Sequence, residues 1–277
     1  MSDPCRRLAV IGSDGARLTG SAHGGQLLGW VPAGQSLDRL WTSRSARCGP
    51  GLAIRGGIPV IFPQFAGRGP LPQHGLARSR AWALEASGAP GPAQFTARLT
   101  DDPQTRAIWP FRFVLELVGT AEGDRLRVDL AVTNRADQTD DRPLEFTAAL
   151  HCYLRIGRPR ALLHGLAGLT AEDNAAGGAI LRVPDQPLPA LVRRDWAVRR
   201  VAGSVQLEDG PDRLVLDADR FDDRVLWNPG PGHGLVDVEP AGEQRFVCVE
   251  PAALAPVALA PEQTWRASMT LSSSTDG

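Results

Sequence analysis

No lysine occurs in this 277-residue chain; all thirty of its basic residues are arginine. That absence excludes Schiff-base chemistry, lysine-anchored pyridoxal phosphate and a P-loop lysine. A phosphate, if one is bound, must be held by arginine or by backbone amides. Net charge is equally scarce, at a formal −1, so no global field draws the chain to nucleic acid or to an anionic membrane. The four cysteines, Cys5, Cys48, Cys152 and Cys248, form no C-x-x-C pair. Neither a zinc knuckle nor a redox motif is suggested, and a cytoplasmic protein with reduced thiols is expected. No run of about eighteen apolar residues suggests a membrane span. The first apolar stretch, Leu8 to Ile11, is too short for a secretory signal. A monomer is expected, because no exposed apolar strip stands out.

What is present is glycine (30) and proline (23), spread through the whole sequence. They break the chain into short elements joined by turns. No stretch of about a dozen residues carries an apolar stripe at helical spacing, whereas alternation with period two recurs. Leu126, Val128, Leu130 and Val132 alternate with polar residues across Arg125–Asn134, and Trp265, Ala267, Met269 and Leu271 do so across Thr264–Leu271. Phe111–Val118, Arg80–Ala86, Phe146–Ile156 and Arg245–Glu250 read as further strands. Ala89–Pro92 and Pro184–Pro189 read as internal loops, and Ser272–Gly277 as a frayed end. The expectation is an all-β protein, a sandwich or barrel in one domain spanning residues 1–277.

Three segments carry candidate chemistry. In strand geometry Phe146, Ala148, Leu150, Cys152, Leu154 and Ile156 share one apolar face. His151 and Tyr153, the sole tyrosine, point the other way. The alternative to a functional His151 is a half-exposed histidine on a sheet surface. In Arg245–Pro251 a carboxylate, Glu250, ends an apolar run, and Pro251 is expected to stop the strand. A carboxyl there suits a general base whose pKa burial would raise; the alternative is a strand-end glutamate in solvent. Residues Arg55–Trp82 form a long, turn-rich segment too apolar for disorder, presenting Arg55, Gln73, His74 and Arg78. The arginines suit a phosphate clamp or, alternatively, turn-stabilising ion pairs. A fourth stretch, Phe221–Pro229, ends in a Trp-Asn-Pro turn that reads as structural, the alternative being a turn packed under a sugar site.

Taken in order, RGGIPVIFPQF, LPQHGLARSRAW, FTAALHCYLRI, VLWNP and FVCVEP resemble the motif series of the glucose-6-phosphate 1-epimerases (hexose-6-phosphate mutarotases), within the wider aldose 1-epimerase group. The series spans about Arg55 to Pro251. The resemblance implies a galactose-mutarotase-like β-sandwich (a supersandwich) with a concave sugar-binding sheet. It implies His151 as general acid and Glu250 as general base, with Arg55, Gln73, His74 and Arg78 contacting a sugar phosphate. A family aspartate usually found in Thr-Asp-Arg-Val-Tyr is matched by spacing to Asp195, although its surroundings here are Arg-Arg-Asp-Trp-Ala-Val. The chain also departs from the family at Cys152 and Leu154, where threonine and phenylalanine are usual.

The implied reaction interconverts α and β anomers of a hexose 6-phosphate by ring opening and closure, with no cofactor and no metal. His151 would act as imidazolium and Glu250 as carboxylate. Three readings compete: a non-catalytic sugar-phosphate sensor, an epimerase of unphosphorylated aldoses, and a glycoside hydrolase or lyase. The last needs a carboxylate to pair with Glu250, for which only Asp195 offers itself. A metal site finds no supporting ligand spacing, since the adjacent His151 and Cys152 face opposite ways.

Overall fold

Residues 5–136 and 142–275 are described by the computed structural model. The strongest alternation becomes the longest pairing. Arg125–Asn134 and Thr264–Thr275 run antiparallel from Thr264 opposite Thr133 to Ser272 opposite Arg125. They sit inside a nine-stranded sheet that also contains Phe113–Glu122, Ala93–Thr100 and Ala83–Ser87 on one side and Asp212–Asp219 and Val205–Asp209 on the other. A second sheet of eight strands orders Thr170–Asp173, Arg194–Val198, Asp223–Asn228, Phe246–Leu259, Leu144–Leu150 and Val60–Ile61 side by side. A smaller sheet of Arg7–Ile11, Arg17–Ser21 and Gln26–Val31 completes the strands. The one α-helix among the described residues is Pro103–Ile108, capped by the Asp102 carboxylate.

The two large sheets meet face to face. Val128, Leu130 and Val132 from the first and Phe146, Ala148, Leu150, Val247 and Val249 from the second lie in one buried cluster. The second sheet is covered on its other face as well. There Ile61, Phe65, Ala149, Ala197, Val225 and Ala252 form a separate buried cluster. Beside it, Trp41, Tyr153, Phe246 and Cys248 form another. Where both faces of the sheet are covered, a polar group on it is cut off from solvent, a condition that governs the site described below.

Several expectations are corrected here. Phe146–Ile156 is not continuous: Leu144–Leu150 and Tyr153–Arg155 are separate strands broken at His151 and Cys152. The face alternation nevertheless carries across the break, with Cys152 and Leu154 in the inter-sheet core and Tyr153 on the other side. Pro251 does not end its strand, which runs from Phe246 to Leu259. The Val249 amide donates to the Cys152 carbonyl at 3.1 Å, so period two would aim an amide at 251 toward the same neighbour. At that level the Leu150 carbonyl already accepts from the Cys152 amide at 2.9 Å. A proline therefore fits where the partner strand breaks, because no N–H is called for. Ser272–Thr275 belongs to the Thr264–Thr275 strand, paired with Asp212–Asp219, rather than fraying; residues 276–277 lie outside the described residues. Cys5 and Cys48 are joined in a disulfide that closes 43 residues of chain, so they are not reduced thiols. Cys152 and Cys248 are free and buried.

Phe62 ties the Arg55–Trp82 segment to the sandwich. Its ring is fully buried, with centroids 5.3 Å from Trp109, 5.4 Å from Phe113 and 5.3 Å from Phe146. Its carbonyl accepts from the amides of Leu76 at 2.9 Å and Ala77 at 3.2 Å, drawing the two ends of the segment together. Gly75 is required at this crossing, since a β-carbon there would lie 2.2 Å from the Phe62 carbonyl oxygen. Phe62→Ala is expected to lower the unfolding free energy by about 3–5 kcal/mol, the range for emptying a buried aromatic site. Urea denaturation of the two proteins measures it.

Candidate active site

Four neighbouring strands deliver polar groups to one face of the second sheet. On Phe246–Leu259 the odd positions Val247 and Val249 enter the inter-sheet core, so the even positions Cys248 and Glu250 leave by the opposite face. Tyr153 lies directly across the ladder from Cys248, which brings His151 beside Glu250. On the other side Glu250 faces Val225, and Trp227 faces both Cys248 and Asp195. The lid over these groups comes from the Arg55–Trp82 segment, which is hydrogen-bonded alongside. The amides of Thr147, His151 and Tyr153 donate to the carbonyls of Pro63, Pro59 and Gly57, each at 2.9 Å.

A cavity of about 180 Å³ results. All seven residues singled out from the sequence line it: Arg55, Gln73, His74, Arg78, His151, Asp195 and Glu250. His151 and Glu250 are 5 % and 1 % exposed, and His151 Nδ1 lies 3.3 Å from Glu250 Oε1. Neither the half-exposed histidine nor the solvent-facing glutamate occurs. The imidazole stacks on the Tyr153 ring, 4.8 Å between centroids with planes 8° apart. The Tyr153 hydroxyl accepts from Arg55 at 3.0 Å, and Arg55 Nε donates to Asp237 at 3.1 Å. Arg55 is thus an ion-pair partner and a cavity residue at once. Arg78 donates to the Gln73 carbonyl at 3.2 Å. Asp195 accepts from Asn174 at 2.7 Å.

Burial decides the ionisation of the empty site. It pushes the Glu250 carboxyl well above the usual range, reinforced by Asp195 and opposed by Arg78. It pushes His151 well below its usual value, helped by His74, Arg78 and Arg55. His74 falls to about 3 for the same reasons, burial first and then Arg78 and Arg55. The Ala66 amide donates to His74 Nδ1 at 3.3 Å, so the neutral ring carries its proton on Nε2. In the empty cavity burial thus works against the imidazolium–carboxylate pair expected from the sequence and favours a neutral imidazole beside a carboxylic acid.

A sequence model of the family described as aldose 1-epimerase matches residues 7–272. The chain belongs to the aldose 1-epimerase family. Membership makes it a sugar epimerase, an isomerase. An Escherichia coli K12 relative provisionally named glucose-6-phosphate 1-epimerase is 30% identical over 265 residues, covering 88% of this chain and 82% of its own. A similarly named protein of the plant Cenchrus ciliaris is 29% identical over 265 residues, covering 90% and 79%. A Salmonella typhimurium structure provisionally described as a mutarotase superposes with a TM-score of 0.86 at 25% identity, covering 97% of this chain and 90% of that one. The Lactobacillus acidophilus galactose 1-epimerase shares the fold, with a TM-score of 0.74 at 13% identity and coverage of 98% and 95%. The fold of this epimerase is the galactose-mutarotase-like β-sandwich.

Sequence reasoning missed two members of the site. Trp227, read as structural, lines the cavity, while its neighbour Asn228 holds the turn by donating to the carbonyls of Glu243 and Phe246 at 2.8 Å each. Asp237, the partner of Arg55, lies 182 residues from it in a loop with no motif. The epimerase should show the cost of its buried carboxyl. Because the folded pKa of Glu250 is raised, folding above pH 4.5 requires proton uptake at that position. Glu250→Gln is expected to be more stable than the parent at pH 7, with the advantage shrinking as pH falls toward 4.5. Thermal unfolding across that range checks the sign.

Proposed function

We propose that this epimerase is a hexose-6-phosphate mutarotase, with Glu250 and His151 as its proton-transfer groups and Arg55 and Arg78 as its phosphate clamp. The observation that carries the reading is a buried carboxyl 3.3 Å from a buried imidazole in a cavity walled by two arginines. Glu250 takes the proton of the anomeric hydroxyl as the bond from C1 to the ring oxygen breaks, and His151 supplies the proton that the ring oxygen gains. The open aldehyde rotates about its C1–C2 bond, and the same transfers run backwards on the other face. No step calls on a cofactor. Each positioned proton-transfer group contributes about 10²–10⁴-fold.

The resting and reactive forms of the pair contain the same number of protons. They differ by one proton moved from Glu250 to His151. Burial above all, and then His74, Arg78 and Arg55, disfavours the charged form of His151 in the empty cavity. A phosphate dianion seated on those guanidinium groups cancels their field and favours the imidazolium–carboxylate form. Phosphate binding thereby does more than anchor: it sets the protonation state that the reaction uses. Gln73 and His74 donate hydrogen bonds to sugar oxygens and Asp195 accepts from a hydroxyl, while Trp227 supplies an apolar surface.

The test is anomer exchange at equilibrium, read by NMR magnetisation transfer with glucose 6-phosphate and free glucose in parallel. Fast exchange of the phosphate and little of free glucose is the expected result. Glu250→Gln should lose about 10²–10⁴-fold, and near-normal exchange by that variant would sink the base assignment. Arg78→Gln should raise KM for the phosphorylated sugar. Exchange of free glucose alone would move the reading to an unphosphorylated aldose, and exchange of neither would make this chain a binder.

A further inference from the structure

Cys248 is the group on the reacting face that mutarotation does not use. It precedes Glu250 by two residues on one strand, so both side chains leave the same face. It opposes Tyr153 across the ladder, two residues from His151. The ligand atoms of His151, Cys248 and Glu250 all lie within 4.8 Å of one another, and all three residues are buried. The earlier objection to a metal site concerned Cys152, which faces the inter-sheet core; it does not apply to Cys248.

The imidazole–carboxylate spacing is that of two ligands on a tetrahedral metal, with the cysteine sulfur within 4.8 Å of both. Zinc bonds of about 2.0–2.2 Å to nitrogen and oxygen place those two ligand atoms about 3.4 Å apart. His151 Nδ1 and Glu250 Oε1 are 3.3 Å apart. Moreover, His151 Nδ1 and Glu250 Oε2 have no hydrogen-bond partner among the described residues. Buried polar atoms in that condition are costly, and a cation would satisfy them.

We propose that His151, Cys248 and Glu250 form an inhibitory site for a thiophilic divalent cation of the zinc class. The neutral imidazole gives its Nδ1 lone pair, and the thiol and the carboxyl each release a proton as their bonds to the metal form. Two anionic ligands then balance the dication, so no net charge is added beside Arg55 and Arg78. His151 and Glu250 line the cavity, which gives a cation its way in. Magnesium and calcium, which select oxygen ligands, are excluded by the thiolate. A bound cation occupies both proton-transfer groups at once and stops anomer exchange. That consequence rests on the acid–base reading above; metal binding itself does not.

Cobalt(II) titration of the full chain, without reductant, tests the site directly. A thiolate-to-cobalt charge-transfer band that saturates at one equivalent and is displaced by zinc is expected. The band should be absent from Cys248→Ala and Cys248→Ser and retained in Cys152→Ala. In the exchange assay, half-inhibition should need roughly tenfold more zinc, or beyond, for the Cys248 variants than for the parent. No band from the parent protein, or a band that survives both Cys248 substitutions, overturns the proposal. The expected band pattern in a protein that exchanges no anomers leaves the metal site standing and removes the acid–base reading instead.

Discussion

Glu250 and His151 are buried because the sheet that presents them is covered on both faces where they lie. The inner face must be apolar to pack on the first sheet, and Val247, Val249, Leu150 and Cys152 meet that demand. Strand geometry then sends Glu250 and His151 outward, where the Arg55–Trp82 segment and the Trp41, Tyr153 and Phe246 cluster already exclude water. Burial there raises the carboxyl pKa and lowers that of the imidazole. The same burial makes both groups sensitive to any charge that enters the cavity.

The break between Leu144–Leu150 and Tyr153–Arg155 is what allows the imidazole to take its place. His151 sits where one strand ends and before the next begins, and Pro251 opposite makes no demand for an acceptor. Stacking on Tyr153 sets the plane of the imidazole, and the Tyr153 hydroxyl in turn holds Arg55. His151, Tyr153 and Arg55 are therefore links of one chain of contacts ending at Asp237. Arg78 is held by a single carbonyl and has more freedom to follow a ligand. In a chain without lysine, the cavity thus carries one firmly held guanidinium and one held by fewer bonds.

The alternation of Phe146–Ile156 was legible because period two survives a local interruption: the faces assigned to Cys152, Leu154, His151 and Tyr153 hold although the strand does not run through. The ordered motifs pointed to the family, and the seven residues they marked line one cavity. Other features left no local trace. Whether a strand-end glutamate is wet or dry depends on what lies above it, and here an ordinary reading of proline as a stop put Glu250 at an edge it does not occupy. Trp227 and Asp237 join the site through pairing and loop closure across long separations, and Cys5 finds Cys48 in the same way.

The sequence by itself determined the strand faces, the all-β class, the family and which polar residues gather at one cavity, because these depend on residue order and on a two-residue period. Only the tertiary structure decided the depth of burial, the direction in which it shifts the pKa of each group, the Tyr153–Arg55–Asp237 chain and the approach of Cys248 to His151 and Glu250. Those properties depend on distances between strands far apart in the chain and on how completely water is excluded from between them. Neither is encoded in the spacing of any one segment.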